Sequence, residues 1–262
     1  MLMANIDHLL KIMCQLRDPE SGCPWDIEQD FQSIAPHTIE EAYEVADAIE
    51  REDWSELKSE LGDLLLQTVY HSQIATERDL FDFDDVVAAI CHKMVDRHPH
   101  VFANQERPTS AAQTELWEQQ KEHERAGAVR DTSTLQNIPT NLPALTRAVK
   151  LQKRAARLGF DWPKINEIIG KVAEEAEELL QELSQVDSAG ATEEFGDLLF
   201  SLVNFARHAG IDPESALRSA NSKFTRRFTA MEEQLRRDGK PFESCDLTIL
   251  NHYWELVKSR EN

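Results

Sequence analysis

The clearest chemical signal in the sequence is an acidic motif that occurs twice. Each copy reads E-E-x-x-E, then fifteen residues, then E-x-x-D, and the second copy lies 134 residues after the first. Identical spacing in two copies indicates an internal repeat. The matched acids are Glu40, Glu41, Glu44, Glu60 and Asp63 in the first copy and Glu174, Glu175, Glu178, Glu194 and Asp197 in the second.

The spacing predicts that each copy gathers its carboxylates on two neighbouring helices. Glu175 and Glu178 lie about 60° apart around a helix axis, and Glu194 and Asp197 share a face of the next helix. In an antiparallel hairpin four or five carboxylates would meet, and they repel one another unless a cation lies among them. Oxygen ligands favour a hard divalent cation, of which Mg²⁺ is the usual choice beside phosphates. A single copy would instead be typical of a solvated, charged helix face.

The pattern around the acids predicts an all-α protein of two related helical-bundle halves. Apolar residues recur at helical spacing from Ile6 to Leu16 and from Trp54 to about Thr76, and no stretch shows the alternation of a strand. Thr38-x-x-Glu41 after Pro36 has the spacing of a capping box, which predicts a helix start near Thr38. Glycine inside the helix at Gly62, and again at Gly196, predicts a close approach by another backbone or a ligand.

The repeat also predicts the domain organisation. We expect an N-terminal helical domain over 1–126 and a C-terminal one over 142–262. The stretch between them, 127–141, is polar and contains Pro139, which is typical of a linker.

Composition excludes several classes of function. The 262 residues carry a net charge of −20, which disfavours nucleic acid and anionic membranes as partners. The four cysteines show no C-x-x-C spacing, and no apolar run approaches 18 residues, so we expect a cytoplasmic protein without a membrane span. There is no P-loop, no G-x-G-x-x-G and no E-x-x-H motif, which argues against P-loop, Rossmann and di-iron sites.

Each half adds cations and an aromatic residue to its acids. A Lys/Arg pair four residues apart precedes a Trp in both halves. These residues are Lys93, Arg97 and Trp117 in the first half and Lys223, Arg227 and Trp254 in the second. Acids that hold a metal, cations that hold phosphate oxygens and an aromatic that stacks on a base suit a nucleoside triphosphate with Mg²⁺.

Taken together, these motifs resemble the MazG family of nucleoside triphosphate pyrophosphohydrolases. The resemblance rests on the repeated acidic motif, on G-C-P-W-D near the start and on R-H-P-H-V-F before the linker, and it covers nearly the whole chain. It implies an all-α homodimer that hydrolyses nucleoside triphosphates between the α and β phosphates, to a monophosphate and pyrophosphate, with Mg²⁺ required. The mechanism that we expect is metal-assisted attack of water at the α-phosphorus. In the family the C-terminal half is the catalytic one.

The resemblance also implies roles for particular residues. The metal ligands would be Glu175, Glu178, Glu194 and Asp197, with Glu41, Glu44, Glu60 and Asp63 as their N-terminal counterparts. Lys223 and Arg227 would hold the triphosphate, and Trp254 would lie against the nucleotide. Apart from the resemblance, we expect Glu174 and Glu175 to be catalytic, Glu174 because it adjoins the ligands and can orient or deprotonate the water, and we expect Lys171 and Glu174 to contact the substrate. Relatives can carry a lysine where this chain has Gly190.

Two other functions remain compatible with the sequence. One is a related hydrolase that prefers a single nucleotide, of the dUTP or phosphoribosyl-ATP type. The other is a non-catalytic helical interaction protein with an acidic surface. Metal-dependent release of pyrophosphate separates the interaction protein from both hydrolases, and a panel of substrates separates the hydrolases from each other.

Overall fold

The computed structural model describes residues 5–103, 107–109, 112–113, 116–117, 134–136, 138–184 and 189–260. The described residues form helices and contain no strand, which confirms the prediction of an all-α fold in two related halves. The chain divides into two compact units, Met1–Val129 and Arg130–Asn262. Much of the predicted linker lies outside the described residues. No helix among them is both long enough and apolar enough to cross a membrane.

The first unit is built on one long helical hairpin. Helices α3 (Phe31–Glu50) and α4 (Trp54–Glu77) pack along each other, and α1 (Ile6–Leu16) packs on α4. Met13, Ile34, Val69, Tyr70 and Ile74 form the buried core where these three helices meet. The helices are α1 (Ile6–Leu16), α2 (Pro24–Glu28), α3 (Phe31–Glu50), α4 (Trp54–Glu77), α5 (Phe83–Arg97) and α6 (Pro99–Phe102).

The second unit repeats this plan. Helices α8 (Ile165–Leu183) and α9 (Ala189–His208) form its long hairpin, and α7 (Ala144–Arg157) packs on α9. Helix α10 (Pro213–Arg237) packs against α11 (Leu247–Arg260). The helices are α7 (Ala144–Arg157), α8 (Ile165–Leu183), α9 (Ala189–His208), α10 (Pro213–Arg237) and α11 (Leu247–Arg260), with a short 3₁₀ turn at Phe242–Ser244.

Helix α3 begins earlier than the sequence pattern predicted. It starts at Phe31 rather than near Thr38, because Asp30 caps it by accepting hydrogen bonds from the backbone of Gln32 and Ser33. Pro36 lies inside the helix, where it removes one backbone hydrogen bond in the second turn. Thr38 does not cap the helix, since its hydroxyl lies 3.0 Å from the imidazole Nε2 of His71.

Three helix ends in the second unit are fixed by glycine in the left-handed conformation. Gly159 follows α7 with a φ of +85°, and the backbone N–H of Phe160 donates to the carbonyl of Ala155 at 3.2 Å. The glycine and this hydrogen bond turn the chain sharply and place the loop 159–164 at the end of α7. Gly210 and Gly239 end α9 and α10 in the same way.

The two helix glycines approach no neighbour within the described part of the chain. A Cβ placed on Gly62 or Gly196 would meet nothing within 4 Å. No other described part of the backbone therefore approaches these glycines closely, and the approach of a ligand stays a prediction.

Candidate active site

The hairpin of the second unit brings acids from both of its helices together. Carboxylate oxygens of Glu175 on α8 and of Glu194 and Asp197 on α9 all lie within 4.8 Å of one another. Glu175 is buried, Glu194 is half-buried and Asp197 is exposed, so the cluster opens toward solvent on one side. Three carboxylates at this separation form a donor set that fits a hard divalent cation.

Burial and mutual repulsion both act on this cluster. Burial raises the pKa of Glu194, and the negative charges of Glu178, Glu175 and Asp197 raise it further. Glu178 therefore lies close enough to act on the cluster, although it is not one of the three residues whose oxygens meet. A bound cation would relieve the repulsion.

The first unit contains the matching cluster. Carboxylate oxygens of Glu41 on α3 and of Glu60 and Asp63 on α4 also lie within 4.8 Å of one another. Burial raises the pKa of Glu41, as do the charges of Asp63 and Glu44. The repeat in the sequence is thus a repeat in space, with a set of three acids in each unit.

A lysine distinguishes the second cluster from the first. The ammonium of Lys171 lies 2.9 Å from Glu174 and 2.7 Å from Glu175. The hydrogen bonds to Glu175 and Glu174 raise the pKa of Lys171. The matched residue of the first unit is His37, whose ring lies 3.4 Å from Glu40.

A cavity of about 710 Å³ lies beside the second cluster, within the same unit. Its volume falls in the range of about 300–1,000 Å³ that is typical of small-ligand sites. Glu175, Asp197 and Lys171 form part of its wall. Most of the rest comes from α7, α9 and the loop after α7, including Gln152, Phe160, Trp162, Asn204 and Arg207.

An ion pair between Arg207 and Asp161 forms part of the wall of this cavity. Arg207 donates hydrogen bonds to Asp161, and the imidazole Nε2 of His208 lies 3.0 Å from the same carboxylate. Burial alone would raise the pKa of Asp161, but the hydrogen bonds from Arg207 and His208 lower it to about 2. The pair ties the loop after α7 to the end of α9.

Three predicted substrate residues lie elsewhere in the second unit. Lys223 and Arg227 are on α10, and Trp254 is on α11, with its ring centroid 5.3 Å from that of Phe224. Trp254 packs against the buried cluster of Met231, Leu235, Tyr253 and Val257. None of the three predicted residues lines the cavity.

Sequence reasoning missed most of the cavity wall. Gln152, Asn204 and Arg207 belong to no motif, and helical periodicity does not single them out. The loop 159–162 did leave a signal, because its G-F-D-W matches the aromatic loop around Trp25 in the first half, shifted by about three residues.

Fold and site together define an all-α protein of two related units, each with a carboxylate cluster suited to a divalent cation. The family model for the MazG nucleotide pyrophosphohydrolase domain matches the chain twice, over residues 29–102 and 164–230. Each match includes one complete set of acids. The chain therefore belongs to the MazG family, which confirms the resemblance seen in the sequence.

Two relatives are similar over almost their whole length. A nucleoside triphosphate pyrophosphohydrolase of Escherichia coli K12 is 50% identical over 261 residues, which cover 99% of both chains. A nucleoside triphosphate pyrophosphohydrolase/pyrophosphatase MazG of Thermotoga maritima is 41% identical over 252 residues, which cover 96% of this chain and 95% of the relative.

Proposed function

We propose that this protein hydrolyses nucleoside triphosphates to nucleoside monophosphates and pyrophosphate, with Mg²⁺ as cofactor and the second unit as the catalytic one. The observation that carries the proposal is the cavity of about 710 Å³ whose wall includes Glu175 and Asp197. The names of the relatives in E. coli and T. maritima, which match over almost their whole length, support the assignment of this reaction.

The two units carry different residues at two positions that line the cavity of the second unit. Ser201 and Asn204 line the cavity, and the residues at the matched positions of the first unit are Gln67 and Tyr70. Both replacements are larger, and both are buried, with Gln67 8% and Tyr70 5% exposed. The Tyr70 hydroxyl lies 2.9 Å from Asp26 Oδ1, which fixes the ring in the core. We infer that these side chains occupy the space that the second unit keeps for substrate.

The acids of the second unit would hold the cation. Glu175, Glu194 and Asp197 supply the three oxygens that already lie together, and Glu178 supplies a fourth carboxylate nearby. When bound, Mg²⁺ would neutralise phosphate charge and polarise the phosphoryl oxygens.

Lys171 and Glu174 would act on the substrate itself. The ammonium of Lys171 has three N–H donors, of which two reach Glu174 and Glu175, so one remains for a phosphate oxygen. Glu174 is exposed, and Lys171 reaches its Oε1, which leaves Oε2 to orient the attacking water or accept its proton. Lys223 and Arg227 remain candidates for phosphate contacts, and Trp254 for a contact with the nucleotide.

Exposed apolar side chains support the further proposal that the protein is a homodimer. Leu180 and Leu183 on α8 and Phe195 on α9 are 67%, 60% and 52% exposed. A second copy that covers these side chains would remove them from water. Light scattering should give twice the mass of one chain, and Phe195→Glu should shift the mass toward that of a monomer. A wild-type mass of one chain would contradict the dimer.

Product analysis tests the reaction. Chromatography of digests of ATP, GTP, CTP, UTP and their deoxy forms with Mg²⁺ should show monophosphate and pyrophosphate. Diphosphate with orthophosphate would contradict the proposal. Turnover of only one substrate in the panel would favour the hydrolase that prefers a single nucleotide.

A further inference from the structure

The side-chain amide of Asn204 is held in one orientation by Arg207. The Nη2 group of Arg207 donates to Asn204 Oδ1 at 2.7 Å. Because a guanidinium has donors only, the amide atom that faces it is the oxygen, and the Nδ2 group with its two N–H donors points away from it. Asn204 is half-buried and lines the cavity of the second unit. It therefore offers the cavity a neutral hydrogen-bond donor of fixed orientation.

Arg207 is itself held in place by Asp161. Its side chain is only 11% exposed, and both of its Nη groups donate to the carboxylate of Asp161, Nη1 at 3.1 Å from Oδ2 and Nη2 to Oδ1. The charge of the guanidinium is therefore balanced within the protein. This pairing suits Arg207 to orienting its neighbour Asn204 rather than to binding a phosphate itself.

Asn204 lies on the same side of α9 as an acid of the carboxylate cluster. Asp197, Ser201 and Asn204 all line the cavity and follow one another at four and three residues along the helix. At 1.5 Å per residue, Asn204 is about 10 Å along α9 from Asp197, with Ser201 between them. One face of one helix thus carries both a proposed metal ligand and the oriented amide, so a substrate held at Asp197 that extends along this face meets Asn204.

The first unit makes the corresponding link without presenting an amide. Tyr70 takes the position of Asn204, and its hydroxyl donates directly to Asp26 Oδ1 at 2.9 Å. Gln73 takes the position of Arg207 and donates to Glu77 instead. In the second unit Arg207 lies between the aspartate and the helix residue, and this arrangement leaves the Nδ2 group of Asn204 for a ligand.

We propose that Asn204 is a substrate-binding residue, whose Nδ2 group donates a hydrogen bond to an acceptor of the bound nucleoside triphosphate. Arg207 and Asp161 are positioning residues. Arg207 orients the amide of Asn204, and Asp161 orients Arg207. This assignment rests on the proposed function and adds to it a group that helps the second unit to hold its substrate.

Removal of the amide tests the contact with substrate. Asn204→Ala should lower kcat/KM for ATP about tenfold, mainly through KM, because the hydrogen bond holds the substrate in the ground state and the transition state alike. The matched control is Tyr70→Phe, which removes the corresponding link from the first unit and should leave kcat/KM within about twofold. A wild-type kcat/KM in Asn204→Ala would overturn the assignment.

A double-mutant cycle tests whether Arg207 acts through Asn204. Arg207→Met should lower kcat/KM about tenfold when Asn204 is present, and by less than about twofold when Asn204→Ala has already removed the amide. An arginine that only supports the fold would cost the same factor in both backgrounds. Equal factors would therefore overturn the positioning role.

A further variant decides the question if Arg207→Met does not fold, which a thermal melt shows. Asn204→Asp keeps an oxygen for Arg207 and lacks the N–H donors, so its kcat/KM should fall at least as far as that of Asn204→Ala. If the wild-type protein hydrolyses none of the triphosphates, the proposed function is overturned and this assignment with it. If the wild type is active and Asn204→Asp keeps its kcat/KM, only the assignment of Asn204 is overturned.

Discussion

The ammonium of Lys171 lies 2.7 Å from the carboxylate of Glu175, one turn further along α8. Glu175 is 5% exposed and belongs to the cluster proposed to hold the cation. A positive charge thus already offsets part of the repulsion in the second unit. In the first unit His37 takes the matched position and lies 3.4 Å from Glu40, which is not one of the three acids whose oxygens meet.

Substitution of Lys171 should impair turnover. Lys171→Met removes a donor to phosphate and leaves Glu175 without its partner, so we expect kcat/KM for ATP to fall about 10- to 100-fold. His37→Met, the matched change in the first unit, should leave kcat/KM within about twofold. Steady-state kinetics of both variants measure this, and an equal loss in the two would contradict the role given to Lys171.

Mg²⁺ should stabilise the folded protein through the matched acids. A cation that binds only the folded form stabilises it by about 2.7 kcal/mol at a hundredfold excess over Kd. Asp197→Asn removes one ligand and should reduce the rise in Tm on addition of Mg²⁺. Glu177→Gln should keep it, because Glu177 is exposed and is matched by Tyr43 in the first unit. Loss of the Mg²⁺ response in Glu177→Gln would contradict the choice of ligands.

The ion pair between Asp161 and Arg207 should make stability depend on pH. The pKa of Asp161 is lowered from its usual 3.8 to about 2, so the carboxylate stabilises the fold above pH 3.8, and that contribution is lost as pH falls toward 2. Asp161→Asn lacks this contribution at every pH. Denaturant melts between pH 5 and 2.5 should show the two proteins converging at low pH. A constant difference in the free energy of unfolding would contradict this account.

The first unit has an ion pair between a buried arginine and Glu77, and we expect its role to be structural. Arg17 is 8% exposed and donates to Glu77 and to the carbonyl of Gln29. Arg17→Met removes the donor to the Gln29 carbonyl and leaves Glu77 with the hydrogen bond from Gln73, so it should cost about 2–4 kcal/mol of unfolding free energy. Arg51→Met, at an exposed ion pair with Asp47, should cost much less. At a temperature where both variants are folded, kcat should stay close to that of the wild type, and a large loss of kcat in Arg17→Met would show that the first unit takes part in catalysis.

The acidic cluster could be predicted from the sequence because its residues lie on two helices that follow each other in the chain. Glu175 lies on one helix and Glu194 and Asp197 on the next, so spacing alone indicates which acids share a face. The cavity could not be predicted from the sequence, since Gln152, Asn204 and Phe160 come from two helices and a loop that only the fold brings together. The start of α3 was misjudged because Pro36 suggested a boundary, whereas the capping residue is Asp30.

The central claim is that the second unit carries the reaction, and one pair of variants tests it most directly. Glu175→Gln and Glu41→Gln remove the matched carboxylate from one unit each and keep the shape of the side chain. Release of pyrophosphate and monophosphate from ATP with Mg²⁺ should fall at least 100-fold in Glu175→Gln, because a carboxylate beside the transferring phosphate is lost. It should stay within about threefold of the wild type in Glu41→Gln. The reverse pattern would assign catalysis to the first unit and contradict the claim.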